Sequence, residues 1–141
     1  MMDCKRIDDV HYLVRLDPNE EIVSSLADVA EKNGIRIAMV QGLGAVKKVV
    51  MGVYNVERQE YKANTLEGTY EILSLTGTLD TMGGKHYSHL HIAIGDAAGH
   101  AFGGHLNEAV ISATAEIILT CMPGEIDREK SPAVGLNIWK F

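Results

Sequence analysis

The 141-residue sequence predicts an α+β fold: one compact domain, with a mainly antiparallel sheet of about seven strands and one main helix packed on it. Three observations carry this prediction. Strand-like segments mostly follow one another with no helical stretch between them. Only one segment, beginning at residue 17, repeats its apolar residues at helical spacing. No repeat, low-complexity tract or long linker divides a chain whose length suits a single core.

The elements follow in order. Residues 1–7 read as an N-terminal tail and 8–141 as the domain. Val10 to Leu16 is a first strand. Asp17 then reads as the N-cap of a helix, with Pro18 at its first position and Glu20 and Glu21 in its first turn. Ile22, Val23, Leu26, Val29 and Ala30 form the apolar face, and Asn33 with Gly34 ends it. Ile35 to Val40 is a short strand. Gly42 and Gly44 suggest a tight turn that lets backbones approach closely, not a phosphate loop, because no helix follows them. Val46 to Val56 is a strand, Glu57 to Gly68 a loop or ragged hairpin, and Tyr70 to Leu79 another strand. Met82 to Lys85 connects to the segment that says most about function. Beyond it, Glu108 to Ala113 reads as a helical turn or more strand, and Ala115 to Met122 as a strand broken by Pro123 and Gly124. Residues 125–134 read as a charged loop and Gly135 to Phe141 as a terminal strand.

The informative segment runs from Ser88 to Leu106 (SHLHIAIGDAAGHAFGGHL). Side chains alternate along a strand, so His89 and His91 share a face. Asp96 to Gly99 fits a type I turn, with Gly99 supplying the left-handed residue of a G1 bulge. That turn pairs Asp96 with His100, Ile92 with Gly104 and His91 with His105. All three histidines then lie on one face, His105 opposite His91 and diagonal to His89. Leu90, Ile92, Ile94, Phe102 and Leu106 fall on the other face as core. Ala93, Gly95, Ala101 and Gly103 leave room around the rings. A slip of one residue would put His105 among the apolar side chains, so the pattern supports the register.

Three neutral imidazoles on one face suit zinc or another divalent transition metal. Three protein ligands with an open fourth position is the arrangement of catalytic zinc, whereas structural zinc is usually closed by four. Glu71 reads either as an exposed strand carboxylate or as a fourth ligand, an acceptor orienting a histidine, or a candidate base beside metal-bound water. Asn107 and Glu108 suit orienting His105 or starting a helix. Asp96 bonds its own turn. His86 falls on the wrong face or in the loop, His100 at the hairpin tip facing away, and His11 on the first strand, solvated or satisfied by the core. Lys85 suits a solvated loop or an anion beside the metal.

Composition narrows the classes. The net charge of −6 disfavours sequence-independent DNA binding, which rests on Lys and Arg neutralising phosphates. No apolar run approaches the ~18 residues of a membrane span. The polar, acidic N-terminal residues are not expected to act as a secretory leader. Cys4 and Cys121 form no CxxC and suit reduced thiols of a cytoplasmic protein.

The histidine segment, together with Gly42 to Val46 (GLGAV) and Glu71 to Gly77 (EILSLTG), resembles the PPC (plants and prokaryotes conserved) domain. The resemblance spans roughly residues 8 to 141. It implies a compact α/β domain, a homotrimer and, for prokaryotic members with these histidines, a bound metal, with zinc expected at His89, His91 and His105. The domain's plant relatives carry AT-hooks and act as DNA-associated regulators. This chain has no Arg-Gly-Arg-Pro core and no basic tail, so the DNA-binding label lacks its physical vehicle here. The expected function is a homotrimeric metal-binding module for assembly or ligand sensing, with a small molecule or anion at the metal. The alternative is a metal-dependent hydrolase or lyase using metal-activated water.

Overall fold

Four long strands carry the architecture. The structure, a computed structural model, describes residues 1–141. In chain order the elements are β1 (Asp3–Arg6), β2 (His11–Leu16), α1 (Ile22–Asn33), β3 (Ala38–Asn55), β4 (Glu60–Met82), β5 (Lys85–Gly95), β6 (Ala101–Cys121), β7 (Asp127–Lys130) and β8 (Asn137–Lys140). The main sheet has the order β1-β2-β6-β3-β4-β5, all neighbours antiparallel. β5 also pairs with β6, so β3, β4, β5 and β6 close into a ring. Closure removes the free edges that those strands would otherwise expose. β7 and β8 form a separate two-stranded sheet.

Several boundaries differ from the sequence expectation, each for a local reason. The first seven residues, read as a tail, contain β1, which pairs with β2. Gly42 and Gly44 make no turn. They lie inside β3, where the ladder shifts register, and merge two expected strands into one of 18 residues. The close backbone approach is real. A Cβ on Gly44, at φ 153°, would stand 2.4 Å from the Thr114 carbonyl oxygen. Glu57 to Gly68 resolves into the β3–β4 hairpin, and Glu108 to Ala113 is continuous strand within β6. The charged stretch 125–134 contains β7.

The helix begins later than expected. Glu21, not Asp17, is its N-cap, and the Glu21 carboxylate accepts from the Val23 and Ser24 amides at 2.9 and 2.7 Å. The same carboxylate accepts from the Ala109 amide of β6 at 3.0 Å, so one side chain caps the helix and ties it to the sheet. Asp17 instead meets the N-terminal amine at 2.7 Å. Gly34 ends the helix in the left-handed conformation, its N–H directed at the Ala30 and Glu31 carbonyls, as its residue type requires.

α1 buries Ile22, Leu26, Val29 and Ala30 and packs against β5 and β6. They join Leu75, Leu79, Leu90, Ile92, Ile94, Ile111, Ile117 and Leu119 in one core. Removing such side chains from water is the main stabilising term, about 1.5–3 kcal/mol for each large one. The opposite face of the same strands is left outside the core, and the histidines lie there.

Candidate metal centre

The β5–β6 hairpin has the register its turn demands. His91 faces His105, Ile92 faces Gly104 and Ile94 faces Phe102. The Asp96 amide donates to the His100 carbonyl at 3.0 Å, and Gly99 is left-handed at φ 82°. The Asp96 carboxylate accepts from the Ala98 and His100 amides at 3.0 and 2.9 Å, so it bonds its own turn. Leu90, Ile92, Ile94 and Leu106 are buried. Phe102 shares their face through its pairing with Ile94, but it stands near the hairpin tip, is 39% exposed and packs edge-on against Tyr70.

His89, His91 and His105 converge. One nitrogen from each lies within 4.8 Å of the other two. Their ring centroids are 5.3, 5.4 and 5.7 Å apart. A tetrahedral ion about 2.05 Å from three imidazole nitrogens would set ring centroids roughly 5.2 Å apart, so the trio fits such an ion with small side-chain rotations. No carboxylate or thiol joins the cluster. Burial holds the His89 ring below its ordinary value of 6.5, helped by the charges of Arg128, His105 and His91. Burial and then His91 do the same for His105. Both shifts favour the neutral imidazole that ligates metal.

Other residues position the trio. Thr78 and Thr76 on β4 are the cross-strand partners of His89 and His91. The Tyr61 hydroxyl donates to the His105 carbonyl at 3.2 Å and pairs with the Asn107 side chain, and the Tyr61 ring meets the His105 ring edge-on at 5.8 Å. Asn107 therefore acts near His105 through Tyr61. Glu108 starts no helix and pairs with Lys48 at 2.9 Å. Glu71 is exposed and faces Gly95, four residues along β5 from His91, about 13 Å at strand rise. The structure does not bring Glu71 to the three rings. His86 bonds Ser88 at 2.7 Å, His100 bonds Asp96 at 3.0 Å and His11 bonds Asp8 at 2.7 Å. Lys85 is exposed at the start of β5, and Cys4 and Cys121 are free thiols.

The rings open onto a cavity of about 1150 Å³. Its far wall is the β7–β8 sheet. The Arg128 guanidinium donates to both Asp80 oxygens, at 2.8 and 2.7 Å, and to the Asn137 carbonyl at 3.1 Å. Its carbon lies 4.7 Å from the Tyr87 ring centroid and 5.6 Å from that of Trp139. The Trp139 indole also donates to Asp80 at 2.8 Å. Sequence reading missed this wall. Its local signals were an arginine in the stretch read as a charged loop and a tryptophan in the stretch read as a terminal strand.

A closed antiparallel β-domain with a three-histidine cluster at the mouth of a cavity defines a class of candidate metal-binding proteins. The model of the Plants and Prokaryotes Conserved (PCC) domain, the family abbreviated PPC above, matches residues 5–123, and the chain belongs to that family. A Pyrococcus horikoshii plant- and prokaryote-conserved protein is 32% identical, with TM-score 0.86 over 100% of this chain and 95% of its own. A Bacteroides thetaiotaomicron protein provisionally called DNA-binding is 30% identical, with TM-score 0.95 over 100% of this chain and 98% of its own. A metal-containing protein from Archaeoglobus fulgidus is 29% identical, with TM-score 0.86 over 97% of this chain and 100% of its own. Among curated relatives, a bifunctional protein GlmU from Synechococcus is 32% identical over 88% of this chain, which spans 19% of that protein's length. No helix is long and apolar enough to cross a membrane.

Proposed function

We propose that this protein is a homotrimeric metal-binding module in which His89, His91 and His105 hold zinc or another divalent transition metal and present it to a small-molecule or anionic ligand. The observation that carries the reading is the convergence of three ligand nitrogens within 4.8 Å, with no fourth protein ligand and a cavity beyond them. When bound, the ion supplies Lewis acidity at an open coordination position. The chain's own residues do the rest. Burial favours the neutral form of two rings, and Tyr61 holds the backbone at His105.

Self-association has support on the same outer surface. The cross-strand row Leu13, Ile118, Gln41, Thr76, His91 and His105 runs across five strands. Leu13 and Ile118 are 43% and 44% exposed, and Met39 and Leu43 beside them 47% and 57%. An apolar sheet face of this kind suits burial against other copies.

Glu71, the candidate base for catalysis by metal-activated water, stands about 13 Å along β5 from His91. DNA association, suggested by the Bacteroides relative, is opposed by the net charge of −6.

The test is elemental analysis of protein purified without an immobilised-metal column, together with light scattering. The reading expects about one metal per chain and a trimer. Metal-free protein that takes up no zinc under dialysis would overturn the site, and a monomer would overturn the assembly.

A further inference from the structure

We infer that the cavity binds a flat, ring-bearing organic anion, and that Lys130 of the β7–β8 sheet is its charge-selecting residue. The inference rests on the proposed metal site only for the end of the ligand that meets the histidines.

Four observations converge on it. No aspartate or glutamate lines the cavity, although acidic residues outnumber basic ones across the chain. Two basic residues do line it, Arg128 and Lys130. They differ in what they are free to do. Arg128 is buried and held by both oxygens of Asp80, so its charge is matched and its geometry locked. The Lys130 side chain is exposed, and its ammonium group makes no ion pair or hydrogen bond within the protein. An ammonium group on a cavity wall with no acidic partner is a site for a ligand's negative charge.

The position of Lys130 follows from strand alternation. Arg128 pairs with Trp139 and Lys130 with Asn137, so these four share one face of the small sheet. All four line the cavity. The Arg128–Asp80 bond therefore fixes the register in which Lys130 is presented. The ring-bearing half of the ligand is argued from the walls. Tyr61 meets His105 edge-on, Tyr87 stands two residues before His89 on the same face of β5, and Trp139 belongs to the small sheet; all three line the cavity. Flat aromatic walls favour flat partners through stacked or edge contacts. The volume of about 1150 Å³ accommodates more than a single ring.

The small sheet lies beyond residue 123, where the family match ends. The selecting wall is thus supplied by a stretch outside the matched domain, while the histidines come from inside it.

The experiment uses the chain's single tryptophan, Trp139, as its reporter. The 141-residue protein, metal-loaded and metal-free, is titrated with 1-naphthoate and with its neutral counterpart 1-naphthamide, following tryptophan emission. Naphthoate is expected to change the emission saturably, and naphthamide to bind roughly tenfold or more weakly in both forms. Lys130→Gln, an exposed position, is expected to weaken naphthoate roughly tenfold and leave naphthamide unchanged, with an unaltered melting curve. Equal binding of acid and amide, no saturable response to naphthoate, or unchanged affinity in Lys130→Gln overturns the inference. Elemental analysis of the same samples tests the metal site separately. Loss of naphthoate selectivity in protein that holds metal sinks this inference alone.

Discussion

The Arg128 guanidinium grips the Asp80 carboxylate through two parallel hydrogen bonds of 2.8 and 2.7 Å, with both side chains almost fully buried. The residues are 48 apart in sequence, so this contact, together with the Trp139–Asp80 bond, ties the small β7–β8 sheet to β4. Breaking one partner leaves the other charge buried and unmatched. Asp80→Asn or Arg128→Met is expected to cost about 3–5 kcal/mol in denaturant unfolding. Replacing both by apolar residues is expected to cost less than the two single changes together, as a double-mutant cycle would show.

Acid should act on the same pair. Burial alone would push the Asp80 carboxyl up, but hydrogen bonds from Arg128 and Trp139 and the Arg128 charge outweigh it and hold the group below its ordinary 3.8. The unfolded chain therefore takes up this proton first. The pair's contribution is complete above about pH 3.9 and lost as the pH falls through the lower folded value. Unfolding curves of wild type and Asp80→Asn are expected to converge at strongly acidic pH.

Metal content is expected to follow the histidines. His89→Ala and His105→Ala should each lose the ion in elemental analysis, and His100→Ala, whose ring bonds Asp96 at the hairpin tip, should retain it. Wild type should melt higher with zinc than after chelation, because binding only the folded state stabilises it. The His100→Ala control separates loss of a ligand from general damage to the hairpin.

The ring titrations have a predicted direction. In metal-free protein His89 and His105 should titrate below 6.5 by NMR, burial being the main cause. Since the unfolded chain protonates first, the folding penalty is absent above 6.5 and grows as the pH falls below it. Zinc affinity should fall over the same direction, because protons and metal compete for the same nitrogens.

Gly77 is expected to be irreplaceable. At φ 151° an added Cβ would stand 2.0 Å from the His89 carbonyl oxygen. Gly77→Ala must push β5 from β4 just where His89 sits. It should destabilise the fold by more than the usual ~1 kcal/mol of a point change and weaken metal retention as well.

Legibility in the sequence tracked how local the determinants were. The hairpin register was readable because Asp96, Gly99 and the alternation of Leu90, Ile92 and Ile94 all lie within a few residues of the turn. Gly42 and Gly44 were misread as a turn, since a bulge and a turn both ask for glycine, and only the partner strand decides between them. The helix start was misread because Asp17 is a better cap by type, while Glu21 gains its position from the Ala109 amide, 88 residues away. The Arg128–Asp80–Trp139 wall was invisible for the same reason. Its charged residues look solvated until the fold carries them to β4.

The ring of strands is joined between β5 and β6 by only five residue pairs, and His91–His105 is the last of them on the side away from the turn. The two imidazoles thus stand where a short zipper runs out. Once they share a ligand ion, they act as a clasp on the hoop, and the proposed occupancy of the centre becomes a mechanical state of the whole barrel: fastened, the amides of Ile92 and Gly104 exchange slowly; unfastened, the hoop loosens from that rung.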